Sequence, residues 1–266
     1  MPSLKPGGRH TTKMLQRAVT VRVAGCVAFL CVALGFGATA ARGGFDGGTV
    51  VGAGEEPVGC TSSPGTIARE GTAAAKAGGE VALTFDDGPS RTQTPAILET
   101  LARLGAHATF FEEGRHVVGR EALMRQILAL GDEIGNHSFH HPVDPGEGEL
   151  ASTQAAIRAA TGFTPCLFRP PYGELDRKEK EAATANGLEL VFWTLDSEDD
   201  THPGVGPIRA RVVRRAKPGQ VVLLHDGGKH PQTVQALAGI VEGLERRGLR
   251  LVTVTELLGG RMLLRP

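Results

Sequence analysis

The chain has 266 residues, 41% of them apolar and 22% charged, which suffices for one sizeable core and excludes disorder throughout. Gly (37) and Pro (16) show no Gly-X-Y period, so a collagen-like fibre is excluded as well. Lys plus Arg equals Asp plus Glu at 29 each, and no basic excess points to nucleic acid.

The charge is unevenly distributed. Residues 1–41 carry Lys5, Arg9, Lys13, Arg17 and Arg22 and no acid, leaving 24 basic against 29 acidic residues in the remainder. An uncharged run from Val23 to Ala41 follows Arg22 and ends in Ala38-Thr39-Ala40, the pattern of an export signal with its small-residue cleavage site. An uncleaved membrane anchor is the alternative, since 19 residues barely reach a membrane span. Cys26 lies at the start of this run with no apolar segment before it, which argues against lipidation. Cys26 and Cys31 would leave with a cleaved signal. Cys60 and Cys166 would remain, either as a disulfide or as two thiols.

Residues 42–79, rich in Gly, Ala, Ser and Thr, read as a linker. From residue 80 to 258 short apolar runs alternate with helical ones, the signature of parallel strands joined by crossover helices, and residues 259–266 read as a tail. The predicted elements, in chain order, are a strand at 81–85, a helix at 95–104, a strand at 108–111, a helix at 121–130, a strand at 133–136, a helix at 150–160, strands at 166–169 and 188–193 flanking a helix at 178–186, a strand at 220–225, a helix at 233–247 and a strand at 250–254. Most of these helices run into a Gly. About seven strand–helix units imply an α/β fold, a distorted and incomplete β/α barrel, with an open doubly wound sheet as the alternative.

Polar clusters follow the strands, where such folds place their active sites. Asp86-Asp87-Gly88-Pro89 sets two carboxylates side by side at a strand exit, as an acid pair or as an ordinary Asx turn. His137 and His141 stand four apart and converge on one ion if the segment turns, with His140 ambiguous between them. Asp87, His137 and His141 together would make a two-His, one-carboxylate site with an open position, which suits a catalytic metal better than a structural one. Arg169-Pro170-Pro171-Tyr172, Asp196-Ser197-Glu198-Asp199-Asp200 and Leu223-Leu224-His225-Asp226 complete the set, each with a bland reading when taken alone.

In conjunction, the five clusters resemble the motifs of the polysaccharide deacetylases of carbohydrate esterase family 4, the NodB-homology domain. Thr84-Phe85-Asp86-Asp87-Gly88 looks like the first motif, His137-Ser138-Phe139-His140-His141 the second, Arg169-Pro170-Pro171-Tyr172 the third and Leu223-Leu224-His225 the fifth. The resemblance implies a distorted (β/α)7-type barrel and a divalent metal, zinc most often and cobalt in some members, on Asp87, His137 and His141. It implies Asp86 as general base oriented by Arg169, and His225 as general acid oriented by Asp199. It also implies an oxyanion donor in the Tyr172 N–H, with Pro171 and Leu223 beside the substrate. The expected partner is an acetylated polysaccharide or oligosaccharide met by a secreted or envelope-bound monomer, without nucleic acid, and with a membrane only through residues 1–41. The fourth motif departs from the family's Asp-x-x-Asp-Trp, because Asp200 stands in the Trp position. That places the sugar preference in question. Acetyl-ester hydrolysis on xylan and a weakened, carbohydrate-binding site are the rival readings.

Overall fold

The computed structural model describes residues 59–61 and 78–263, so the proposed signal and most of the linker lie outside the described residues. The elements in order are β1 (Gly59–Thr61), β2 (Glu80–Gly88), α1 (Gln93–Leu104), β3 (Ala108–Glu112), α2 (Gly114–Val117), α3 (Glu121–Ala129), β4 (Glu133–Asn136), α4 (Glu147–Thr161), β5 (Leu167–Phe168), α5 (Arg177–Ala185), β6 (Glu189–Leu190), β7 (Leu195–Asp196), α6 (Val205–Arg215), β8 (Val221–His225), α7 (Pro231–Glu245), β9 (Arg250–Leu251), α8 (Val254–Leu257) and β10 (Arg261–Leu263).

Seven parallel strands pair in the order β6-β5-β4-β3-β2-β8-β7, and β9 pairs with the start of β2. The sheet must curl. Leu190 closes β6 at one end of that path and Leu195 opens β7 at the other. Their five-residue separation spans at most about 18 Å of extended chain, whereas a flat path of this length would hold its edges about 29 Å apart. The result is a curled half-barrel of parallel strands with helices outside, which decides against the open doubly wound alternative.

Both faces of β2 and β3 are buried, which is why their sequences are nearly continuous apolar runs rather than alternating ones. Val81, Leu83, Phe85, Phe110 and Ile134 pack with Ile97, Leu98 and Leu101 of α1 and with Leu237, Ile240 and Leu244 of α7 in one core. Phe85 stacks on Phe110 at 5.1 Å between ring centroids. Each such fully buried side chain contributes about 1.5–3 kcal/mol. Gly105 ends α1 and Gly162 ends α4 in the left-handed conformation that closes a helix with little steric cost.

Three sequence expectations change. The 250–254 strand stops at Leu251, because the Thr253 side chain accepts the Glu256 N–H at 3.2 Å and starts α8 instead. Between the expected strands at 188–193 and 220–225, where no element was expected, residues Val205–Arg215 form helix α6. Pro207 falls in its first turn, where a missing N–H is tolerated, and Ile208 and Val212 anchor it to the core. Finally, β1 and β10 pair antiparallel, from segments read as linker and tail.

Candidate active site

The site forms where β2, β4, β5 and β8 end. In a regular strand Asp86 and Asp87 would point to opposite faces. Here the ladder to β3 shifts register between Asp86 and Gly88, and Asp87 takes a positive φ of 74°. The bulge turns both carboxylates into one cavity of about 370 Å³, shared with His137, His141, Pro170, Tyr172, Trp193, Asp196, Asp200, Leu223, His225 and His230. Asp86 lies opposite His225 in the β2–β8 ladder, so the expected base and acid sit on neighbouring strands.

His137 follows β4, and its Nδ1 lies 2.7 Å from the Arg169 carbonyl oxygen, which can only accept. That bond fixes the tautomer and turns Nε2 toward Asp87. His141 is reached by a tight turn with positive φ at Ser138 and His141. The turn is held by the Ser138 N–H on Asn136 Oδ1 (2.9 Å), the His141 N–H on Ser138 Oγ (3.1 Å), and the Phe139 and His140 N–H groups on Glu149 Oε2. Glu149 Oε1 also holds His140 Nδ1 at 2.8 Å, which turns that ambiguous histidine outward.

Asp87 Oδ1 lies 3.4 Å from Nε2 of His137 and 3.4 Å from Nε2 of His141, and all three ligand atoms fall within 4.8 Å of one another. Tetrahedral coordination at about 2.1 Å per bond has edges of about 3.4 Å, so the donor set and its spacing fit a divalent cation. Burial favours the neutral form of Asp87, but the His137 hydrogen bond and the charges of His137, His225 and His141 hold it well below the usual carboxylate range. Burial opposes the charge on His137 too, yet Asp86 and Asp87 raise its pKa. His141 is lowered by burial and by His137.

Arg169 is fully buried and spans the half-barrel interior. Its Nη1 donates to Asp86 Oδ1 (2.7 Å) and Thr84 Oγ1 (2.8 Å), and its Nε donates to the Val191 carbonyl across the β6–β7 seam. The guanidinium lies over the Phe111 ring, 4.1 Å from the centroid. Burial pulls its pKa below the ordinary value against the pull of Asp86. On the far side, His225 Nδ1 meets Asp199 Oδ1 at 2.8 Å, while Asp199 Oδ2 accepts the His225 N–H and the Thr233 hydroxyl. Burial opposes the charge on His225, but Asp199, Asp86 and Asp87 raise its pKa to about 9. Asp199 is lowered in turn, against its own burial.

Arg169 and Asp199 thus back the cavity rather than line it. Pro171 does not line it either. It is buried as the first residue of the 3-10 turn Pro171–Gly173, and Pro170 takes the wall position expected of it. Tyr172, with a positive φ of 58°, sets its ring edge-on to His141 at 4.6 Å and is 60% exposed. Leu223 and Asp200 line the cavity. Sequence reasoning missed Pro170 and His230 in this wall, which also holds Trp193, the single Trp of the chain.

A family model for polysaccharide deacetylases matches residues 73–191. A peptidoglycan-N-acetylglucosamine deacetylase of Bacillus cereus is 40% identical over 186 residues, 67% of this chain and 87% of that protein. One of Listeria monocytogenes is 35% identical over 71% of this chain, which spans only 41% of that longer protein. Among solved structures, a family 4 carbohydrate esterase from Streptomyces lividans in complex with acetate is similar at a TM-score of 0.64 and 34% identity, covering 71% of this chain and all of that one. Fold and site together define a carbohydrate-active hydrolase. The chain belongs to the polysaccharide deacetylase family, the carbohydrate esterases of family 4.

Proposed function

We propose that this chain is an exported, metal-dependent N-deacetylase that removes acetyl groups from N-acetylglucosamine-type glycans of the cell wall. The observation that carries this reading is that Asp86 and His225 share one cavity with the Asp87, His137 and His141 cluster. The names of the Bacillus and Listeria relatives favour peptidoglycan as the glycan. Asp87, His137 and His141 would hold a divalent cation, zinc or cobalt, which would supply Lewis acidity there.

The chain's own groups do the remainder. Asp86, held by Arg169, takes a proton from water as its oxygen attacks the acetyl carbonyl. The Tyr172 N–H, at the lip of the cavity, donates to the oxyanion that develops there. The C–N bond then breaks, and the sugar amine leaves only if it gains a proton. His225 supplies it, since its raised pKa keeps the ring cationic at neutral pH. A cationic acid suits an amine leaving group better than an ester alcohol, which favours the amide reaction. Export is supported by the basic start and uncharged run of residues 1–41 and by the disulfide at Cys166, a bond of oxidising compartments.

The test is acetate release from N-acetylglucosamine oligomers, peptidoglycan and acetylated xylan, after chelation and again after adding zinc or cobalt. We expect release from the two amide substrates that chelator abolishes and metal restores. Release from xylan alone would overturn the amide reading, and release unaffected by chelator would overturn the metal.

A further inference from the structure

His230 belongs to none of the motifs, yet it lines the cavity beside His225. The two rings stack with centroids 5.2 Å apart and planes 30° apart. The ring of His202 also lies 5.2 Å from that of His230, tilted by 43°. The three imidazoles form a ladder whose inner rung is the proposed acid, close to the place where Asp200 replaces the family's Trp.

The position of His230 is built. It is the last residue before α7, with Pro231 opening the helix. Its backbone N–H donates to Gln93 Oε1 at 2.7 Å, and the Gln93 amide donates in turn to the carbonyls of Gly227 and Gly228. Gln93 is itself buried, so α1, the loop after β8 and the start of α7 are joined at this point. His230 Nδ1 is buried with no hydrogen-bond partner among the described residues. A proton there would have no acceptor and would set a second cation against His225.

We propose that His230 is a positioning residue for proton delivery: as a neutral ring laid on His225, it keeps that imidazolium in plane with Asp199 and shields one face from water. The proposal rests on the reading of His225 as the acid. Asp199 fixes one edge of His225 through Nδ1, but one hydrogen bond leaves rotation about its own axis open. The stacked ring closes that freedom, and cation–π attraction favours the charged form of its neighbour.

The device works only while His230 is uncharged. The groups facing it are His225 and Asp199, His202 on the preceding loop, and Asp87 across the cavity. Burial and the His225 charge both push its pKa down, so it is neutral at neutral pH and gains its proton only on the acid side. Protonation there sets two cations face to face and loosens the acid.

The experiment compares the full chain with H230A and H230F on N-acetylglucosamine oligomers, measuring kcat and KM with zinc across pH 4–9. We expect H230A to lower kcat about ten- to hundredfold, the scale of a misplaced catalytic group, with KM within about twofold. We expect H230F, which keeps the stack but cannot titrate, to recover most of kcat and to move the acid limb of kcat to lower pH. Equal impairment of both variants, wild-type kcat in H230A, or an unmoved acid limb in H230F would overturn the proposal. If H230A does not fold, the H230F profile decides alone. A wild-type chain that releases no acetate would instead count against the function proposed above.

Discussion

Asp86 and Asp87 are neighbours in the chain and opposites in the site. Asp86 is held by Arg169 and faces His225 across the ladder, whereas Asp87 lies between two imidazoles. Their substitution should therefore separate two functions. D86N keeps the shape and the three donors, so we expect metal binding to persist while turnover falls about 10²-fold or more. D87A removes a donor from a three-donor set and should lose metal and activity together. Metal content by atomic emission beside acetate release reads both, and near wild-type turnover in D86N would remove Asp86 from the base role. At this scale the sequence was most legible where chemistry sits in short runs, as in Asp86-Asp87 and His137 to His141. It was least legible where a residue gains meaning from a distant neighbour. Glu112 and Asp226 show this. They converge on Gly88 with buried oxygens that lack hydrogen-bond partners among the described residues, and burial drives both toward the neutral form, Asp226 to about 7.

Elements whose periodicity was regular were legible to within a few residues, as with 133–136 for β4 and 121–130 for α3. Elements whose start is set by a side-chain cap or by proline tolerance, α8 and α6, were not. The turn into β4 holds an element-scale consequence in Asp132. It is 1% exposed, and its Oδ1 accepts the Ala108 N–H at 2.9 Å, tying the start of β3 to the start of β4. Burial raises its pKa from 3.8 to about 7, with the Ala108 bond opposing. A carboxyl whose folded pKa lies above its unfolded one stabilises fully below the unfolded value and loses that contribution as pH rises through the folded value. Asp132 should thus cost the fold stability progressively between pH 4 and pH 7. D132N keeps the acceptor and cannot ionise. We expect it to equal the wild type near pH 4 and to exceed it at pH 8 by on the order of 3 kcal/mol. Urea unfolding at the two pH values measures this, and an unchanged difference between the proteins would show that Asp132 is solvated when charged.

For the whole molecule, the α/β barrel class and the side on which the site lies were readable from alternation and from polar clusters, whereas β7, only two residues long, was missed. The strand order was not readable, because register between distant strands depends on packing that no local pattern encodes. The same holds for the pairing of β1 with β10, segments about 200 residues apart. Gly59 of β1 sits so close to the turn before β5 that a side chain there would meet the Thr164 carbonyl oxygen at 2.6 Å and Cys166 Sγ at 3.3 Å. Cys166 is disulfide-bonded. We expect C166S to lose about 2–4 kcal/mol of stability. Acetate release should stay within about twofold, because Arg169, three residues on, keeps its own bonds to Asp86, Thr84 and the β6–β7 seam. Thermal unfolding with and without reductant isolates the bond from the substitution: reductant should bring the wild type to the variant's midpoint and leave the variant unmoved. A wild type indifferent to reductant would mean that the bond at Cys166 contributes nothing to that stability.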